Sequence, residues 1–185
     1  MGETSGEIIE RRLKLYDAER LDKVLDWMAA QSFAMLAAAS RPVIIGIAPR
    51  GASLATRLQQ RLEARYGLAI SRYEIWAERA ADDAPSGAPL KIVEPDALAA
   101  RDLTGCNVLV VDALLSRGRT LSGVLDHVRK RRVTSANACV LVDRCRRDAQ
   151  LRATVSGLCL ELPAGVRVEC HLPPHDKDFG VWRAG

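Results

Sequence analysis

Aromatic residues are scarce: three Trp, three Tyr and two Phe, 4% of 185 residues. The interior therefore has to be built from Ala, Val, Leu and Ile. No apolar run approaches the ~20 residues that a membrane-crossing helix needs. The N-terminal stretch is polar and charged, without the apolar core of a signal peptide, so a cytoplasmic protein with no membrane partner is expected. Cysteine is present but unpatterned. Cys106, Cys139, Cys145, Cys159 and Cys170 are odd in number and include no C-x-x-C pair, so buried cytosolic thiols are expected rather than a zinc site. His171 and His175 flank Pro173-Pro174, which denies them the helical spacing of a metal-binding pair. There are no internal repeats and no sign of a second domain, and the length suits one domain, residues 1–185. The formal charge of +4 is modest. It permits an anionic ligand or RNA and demands neither.

What is present centres on residues 107–120. Val108 to Val111 form a continuous aliphatic run, short enough for a strand buried on both faces. Asp112 stands where the run ends, at the carboxyl edge of a parallel sheet, where open α/β folds bind ligands. Ser116-Arg117-Gly118-Arg119-Thr120 then leads into a helix with the apolar stripe Leu121, Val124, Leu125 and Val128. A turn bearing glycine and hydroxyls at a helix N-terminus offers free amides and the positive end of the dipole, which suits a phosphate. Asp112 beside it could accept from sugar hydroxyls or hold a magnesium-bound water. An ordinary βα connection is the alternative on spacing alone.

The other segments repeat this grammar. Residues 1–16 read as a loose N-terminal arm. From Asp17, a good N-cap, to about Ala39 the pattern is helical. Val43 to Ala48 reads as a buried strand, followed by Pro49-Arg50-Gly51-Ala52-Ser53 and a helix carrying Leu54, Leu58 and Leu62, closed by Gly67. Arg50 is either an anion ligand or a surface residue, and a second anion-ready turn favours the ligand. Leu68 to Trp76 reads as a strand. Residues 77–105 hold a small, polar, turn-forming stretch, Ala81 to Pro89, and read as a flexible loop or lid. Arg129-Lys130-Arg131-Arg132 ends the central helix, either as a solvated cap that suits the dipole or as an RNA contact. Asn137 to Val142 is a further strand, ending at Asp143-Arg144. Val155 to Leu162 and Val166 to His171 are short strands around Pro163-Ala164-Gly165, a hairpin or edge strands. Alternating β and α units imply an α/β fold, a mainly parallel twisted sheet with helices on both faces.

Asp112-Ala113-Leu114-Leu115-Ser116-Arg117-Gly118-Arg119-Thr120 resembles the phosphoribosyl pyrophosphate signature of type I phosphoribosyltransferases, Asp-Asp-x-x-x-Thr-Gly-x-Thr after a hydrophobic strand. Ala113 replaces the second acid and Arg117 the first Thr. The likeness extends to the family of pyrimidine-operon attenuation regulators that are also uracil phosphoribosyltransferases. Ile45-Gly46-Ile47-Ala48-Pro49-Arg50-Gly51-Ala52-Ser53-Leu54-Ala55 is similar to that family's pyrophosphate loop. Val140-Leu141-Val142-Asp143-Arg144 and Leu151-Arg152-Ala153 with Gly157 are similar to its later segments. The resemblance implies a type I phosphoribosyltransferase fold with a small base-side hood over residues 155–185, and a homo-oligomer. It implies transfer of a phosphoribosyl group from phosphoribosyl pyrophosphate to a pyrimidine-type base, with magnesium as cofactor.

On that resemblance Asp112 and Arg79 are the catalytic candidates, and Asp112 also serves as an indirect magnesium ligand. Arg50, Gly51, Ser116, Arg117, Gly118, Arg119, Thr120 and Asp143 are the substrate-binding candidates. A catalytically weakened, nucleotide- or phosphoribosyl pyrophosphate-sensing regulator that binds RNA through Arg129, Lys130, Arg131 and Arg132 is the alternative that Ala113 keeps open.

Overall fold

The computed structural model describes residues 12–37, 41–78, 90–149, 151–163 and 165–184. At its centre lie the apolar strands β2 (Pro42–Ile47), β5 (Asn107–Leu115) and β6 (Ser135–Asp143). They are flanked by β3 (Ser71–Glu78), β4 (Lys91–Val93) and β7 (Val155–Cys159). The six-stranded sheet has the order β4-β3-β2-β5-β6-β7, parallel throughout except for β4, which runs antiparallel to β3. Helices cover both faces. Leu109 and Val111 of β5 pack with α1 (Ala18–Leu36) and α2 (Arg50–Tyr66), whereas Val108 and Val110 pack with α4 (Arg119–Arg129) and the short α3 (Asp96–Ala99). Such two-sided burial is why β5 reads as an unbroken aliphatic run. Truncating one of its buried leucines would cost about 2–5 kcal/mol.

The ends of α1 and α2 follow from their sequence. Asp17 accepts a hydrogen bond from the Arg20 amide at 3.0 Å and so caps α1. Gly67, with φ +62, closes α2 in the left-handed conformation that favours glycine. Arg61 ties the two helices by pairing with Asp22 (2.7 Å) and Asp26 (3.1 Å). Among the described residues no helix is long and apolar enough to cross a membrane.

A second, three-stranded antiparallel sheet has the order β1-β9-β8, built from β1 (Leu13–Tyr16), β9 (Gly180–Ala184) and β8 (Arg167–His171). It changes several expectations. Residues 13–16 of the expected loose arm are a strand, because β9 supplies their partners and Lys14 pairs with Asp178 at 3.5 Å. Residues 1–11 lie outside the described residues. The strands around Pro163 and Gly165 are not a hairpin: β7 runs parallel to β6 at the edge of the main sheet, and β8 pairs with β9. The expected hood region therefore loses β7 to the main sheet. Within residues 77–105, β4 and α3 are ordered, held by Arg131, which donates to Glu94 at 3.1 Å and to the carbonyls of Leu98, Ala99 and Arg101. Residues 79–89 lie outside the described residues.

The cysteines also divide. Cys106, Cys139 and Cys170 are buried thiols, as expected. Cys145 and Cys159 instead form a disulfide, with Cα atoms 5.9 Å apart. The parallel pairing of Asp143 with Cys159 brings the turn after β6 against the end of β7, and no local spacing rule encodes that neighbourhood.

Candidate functional site

Two turns lie at the carboxyl edge of the sheet. The first joins β2 to α2 through Ala48-Pro49-Arg50-Gly51. A Cβ on Gly51 would stand 2.4 Å from the Val111 carbonyl oxygen and 3.0 Å from the Asp112 Cα, so only glycine lets this turn lie against the end of β5. Gly46 is under the same constraint, since its Cβ would meet the Ala52 Cα at 2.5 Å. The second turn, residues 116–120, opens α4. Gly118 is its N-cap with φ +81 and is packed on Leu115 and Leu151. Among the described residues, neither α2 nor α4 has a side chain hydrogen-bonded as an N-terminal cap, and neither carries an acid in its first turn. Both helices therefore direct their positive dipole ends toward one edge.

Asp112 sits between these turns. Its strand continues three residues beyond the expected end, to Leu115, because β6 goes on pairing with it as far as Asp143. The Asp112 side chain is half-buried, and its Oδ1 accepts from the Ala113 amide at 2.7 Å. It lies close enough to the Cys170 thiol to act on it. Burial first, and then the Asp112 charge, push that thiol up to about 12. Cys170 contributes its Sγ to the Ala113 carbonyl at 3.6 Å. Ala113 itself is only 3% exposed and belongs to the apolar cluster under α1 and α2. The position of the missing acid is thus a wall of the hydrophobic core.

The remaining predicted residues are placed as follows. Arg50 makes a bidentate pair with Asp176, Nε to Oδ2 at 2.9 Å and Nη2 to Oδ1 at 2.8 Å. Arg117 is exposed and points to Asp148, 3.8 Å away, so it does not crowd the turn. Arg119 is exposed, and Ser116 and Thr120 are half-buried. Asp143 is buried, 5% exposed, and accepts the Cys145 amide at 2.7 Å. Its neighbour Arg144 does not pair with it but donates to the Val166 carbonyl at 2.9 Å, joining this edge to the segment before β8. Burial, and then the nearby Arg146 charge, lower the Arg144 pKa. Arg79 lies outside the described residues, as do Asp82 and Asp83.

Arg129 ends α4 and Lys130 to Arg132 lie between it and β6, at the opposite edge of the sheet. Arg129 pairs with Asp126 at 3.1 Å, and Arg131 is committed to Glu94 and the α3 carbonyls. Lys130 and Arg132 are exposed and, with Arg101, line a shallow cavity of about 430 Å³. A larger cleft of about 680 Å³ lies on the outer side of the β2–α2 turn. Its lining includes Ser53, Arg57, Glu74, Trp76 and His175, and neither Asp112 nor the 116–120 turn. Among the described residues, no group of three or more His, Cys, Asp or Glu could by itself hold a metal ion.

A family model described as the phosphoribosyl transferase domain matches residues 12–173. The chain is 34% identical over 116 residues to the bifunctional protein PyrR of Streptococcus pyogenes serotype M49, a match covering 62% of this chain and 64% of that one. It thus spans less than two thirds of that relative's length. It is 31% identical over 140 residues to the pyrimidine operon regulatory protein of Lactococcus lactis subsp. lactis, covering 75% of this chain and 78% of the relative. Among solved structures, a hypoxanthine-guanine phosphoribosyltransferase of Bacillus anthracis superposes with TM-score 0.74 at 19% identity, covering 94% of this chain and 98% of that one. A hypoxanthine phosphoribosyltransferase of Trypanosoma cruzi gives 0.75 at 12% identity, covering 97% of each. Identities this low speak for the fold alone.

Proposed function

The chain belongs to the phosphoribosyl transferase domain family, and on that footing we propose that it binds phosphoribosyl pyrophosphate and transfers the phosphoribosyl group to a pyrimidine-type base. The observation that carries this reading is that α2 and α4 both start at the edge of the sheet that carries Asp112, with the β2–α2 turn seated through Gly51 on Val111 and Asp112. In this reading the 116–120 amides, with the Ser116 and Thr120 hydroxyls, hold the 5′-phosphate, and Arg117 and Arg119 add charge around it. Asp112 accepts from the ribose hydroxyls, and the Arg50-Gly51 turn takes the pyrophosphate. Arg79 would close over the site. Asp143, which accepts the Cys145 amide through Oδ1, steadies the base-side turn and keeps its second oxygen for the substrate in this reading.

In this reaction the bond from the anomeric carbon to pyrophosphate breaks while a base nitrogen attacks. Catalysis consists mainly of positioning and charge stabilisation. Among the described residues no group of three or more His, Cys, Asp or Glu could cage a cation, but Asp112 would suit a magnesium ion carried by the diphosphate, held through a water. When bound, magnesium would neutralise charge on the departing diphosphate. Ala113 removes one charged acceptor for the ribose, a loss of about 1.5–3 kcal/mol, or roughly ten- to a hundred-fold in affinity.

A second reading, a weakened enzyme that senses the same ligand and binds RNA, is favoured by that substitution and by the regulatory role for which the Lactococcus lactis relative is named. It predicts salt-dependent RNA affinity that falls when Lys130 and Arg132 are neutralised. Assembly into a homo-oligomer belongs to this proposal as well and is read by light scattering. The deciding experiment is calorimetric titration with phosphoribosyl pyrophosphate, with and without magnesium, followed by product assays over a panel of bases. Binding lost in Asp112→Ala supports the site; silence of the wild-type chain toward phosphoribosyl pyrophosphate removes both readings.

A further inference from the structure

Arg50 is held by a carboxylate from a distant part of the chain. Asp176, 126 residues away in the segment between β8 and β9, meets the guanidinium through both oxygens. The same carboxylate accepts the Leu172 amide at 2.8 Å, and the Asp176 amide donates to the Leu172 carbonyl at 3.1 Å. The acid is therefore fixed to its own loop before it meets the arginine, and its side chain is 13% exposed against 42% for Arg50. A pair between two loose surface side chains would hold neither in place. Here one partner is rigid, and two parallel hydrogen bonds leave the guanidinium a single orientation.

Arg has five N–H donors, and this pair uses one on Nε and one on Nη2. The two donors on Nη1 and the second on Nη2 lie on the other edge of the plane. They stay available to an anion at the α2 N-terminus, where the helix has no acid of its own. We propose that Asp176 is a positioning residue, which aims the unused edge of Arg50 at the diphosphate of the ligand. The proposal rests on the reading of the Arg50-Gly51 turn as the pyrophosphate site. It makes the loop between β8 and β9 part of the binding apparatus, although that loop contributes no ligand contact of its own.

The test uses the full chain and two probes, inorganic pyrophosphate with magnesium and ribose 5-phosphate, each titrated by calorimetry. Asp176→Asn is expected to weaken pyrophosphate binding about tenfold, the scale of losing one charge-assisted alignment. Ribose 5-phosphate, which addresses the 116–120 turn, should stay within about twofold. In an Arg50→Gln background Asp176→Asn should have no further effect. Asp176→Glu, one methylene longer with its charge kept, should fall between wild type and Asp176→Asn, and it serves where the Asn variant folds poorly.

Three results would overturn the proposal: unchanged pyrophosphate affinity in both variants, tighter affinity, which would make Asp176 a competitor for Arg50, or equal weakening of both probes, which would make it a structural prop. If Arg50→Gln weakens pyrophosphate and the Asp176 variants do not, the positioning role alone falls. If the wild type binds ribose 5-phosphate but no pyrophosphate, the Arg50 turn loses its assignment and takes Asp176 with it.

Discussion

Helix α1 starts differently from α2 and α4. Asp17 caps α1 through the Arg20 amide, and Glu19 sits in its first turn. Helices α2 and α4 begin at Pro49 and Gly118, with no side-chain cap among the described residues and no first-turn acid. A capping side chain is worth about 1 kcal/mol, and an acid near the dipole adds roughly 0.3–1 kcal/mol. The chain uses both at the helix whose start has only to hold together. It forgoes both at the two helices that start at the edge carrying Asp112. What distinguishes a structural helix start from one prepared for an anion is thus, among the described residues, the lack of a capping side chain and of a first-turn acid.

The hardest way to break this contrast is at Gly51. Its replacement by Ala puts a methyl group against the Val111 carbonyl and must move the β2–α2 turn off the end of β5. We expect about 1–3 kcal/mol of lost stability from overpacking and no measurable titration with phosphoribosyl pyrophosphate. Denaturant melts and calorimetry read the two effects separately. A Gly51→Ala variant that binds as well as wild type would show that the β2–α2 turn need not lie this close to Val111 and Asp112.

Asp112→Ala comes next. It removes the carboxylate between the two turns and should weaken the same ligand roughly ten- to a hundred-fold, with little change in melting temperature because the side chain is only half-buried. The converse substitution sharpens the point. Ala113→Asp, which would recreate the paired acids of the family signature, is expected to destabilise the fold by more than about 2 kcal/mol. The reason is that Ala113 lies among apolar side chains at 3% exposure. Restoring the motif by sequence alone should not restore the site.

Asp17→Ala is the control on the other side of the comparison. It should lower stability by about 1 kcal/mol, a shift of roughly 2–4 °C in melting temperature for a chain of this size, and leave ligand titrations unchanged. A loss of binding in this variant would mean that α1 is part of the site and that the contrast between the helix starts is misdrawn.

These contrasts were legible in the sequence to different degrees. The aliphatic runs of β2, β5 and β6, the turn glycines Gly51 and Gly118, the Asp17 cap and the Gly67 stop all follow from residues within a few positions of one another. The placing of Asp112 was legible only in part, since β5 runs on to Leu115 through its pairing with β6. What could not be read depends on partners far along the chain. The pairing of β1 with β9, the disulfide between Cys145 and Cys159, and the hold of Asp176 on Arg50 each join segments whose local patterns say nothing of one another. Arg131 looked like one member of a basic run, and its burial against Glu94 and three carbonyls emerges only once α3 and β4 are in place. Periodicity reports which face is buried. It does not report against what.

The smallest effect concerns Asp176, the carboxylate paired with Arg50 at the start of α2. Burial of Asp176 works against its charge, but the Arg50 hydrogen bonds, the Leu172 amide and the Arg50 charge together outweigh burial, so its carboxyl group titrates below the ordinary range. A carboxylate whose pKa is depressed by folding stabilises the fold above its unfolded value of about 3.9, and that contribution fades as pH falls through the lower folded value. With Arg50 42% exposed, solvent screens the pair, and about 0.2–1 kcal/mol is a realistic size. The melting temperature of wild type should therefore exceed that of Asp176→Asn by no more than about 4 °C near neutral pH. The gap should close below pH ~4. Taking the difference between the two proteins cancels Asp178, whose own carboxyl is lowered chiefly by its hydrogen bond with His171 and which titrates nearby. A gap that widens in acid would mean that the neutral form of Asp176 is the one the fold prefers. In that case Arg50 would be held by something other than the charge of its partner.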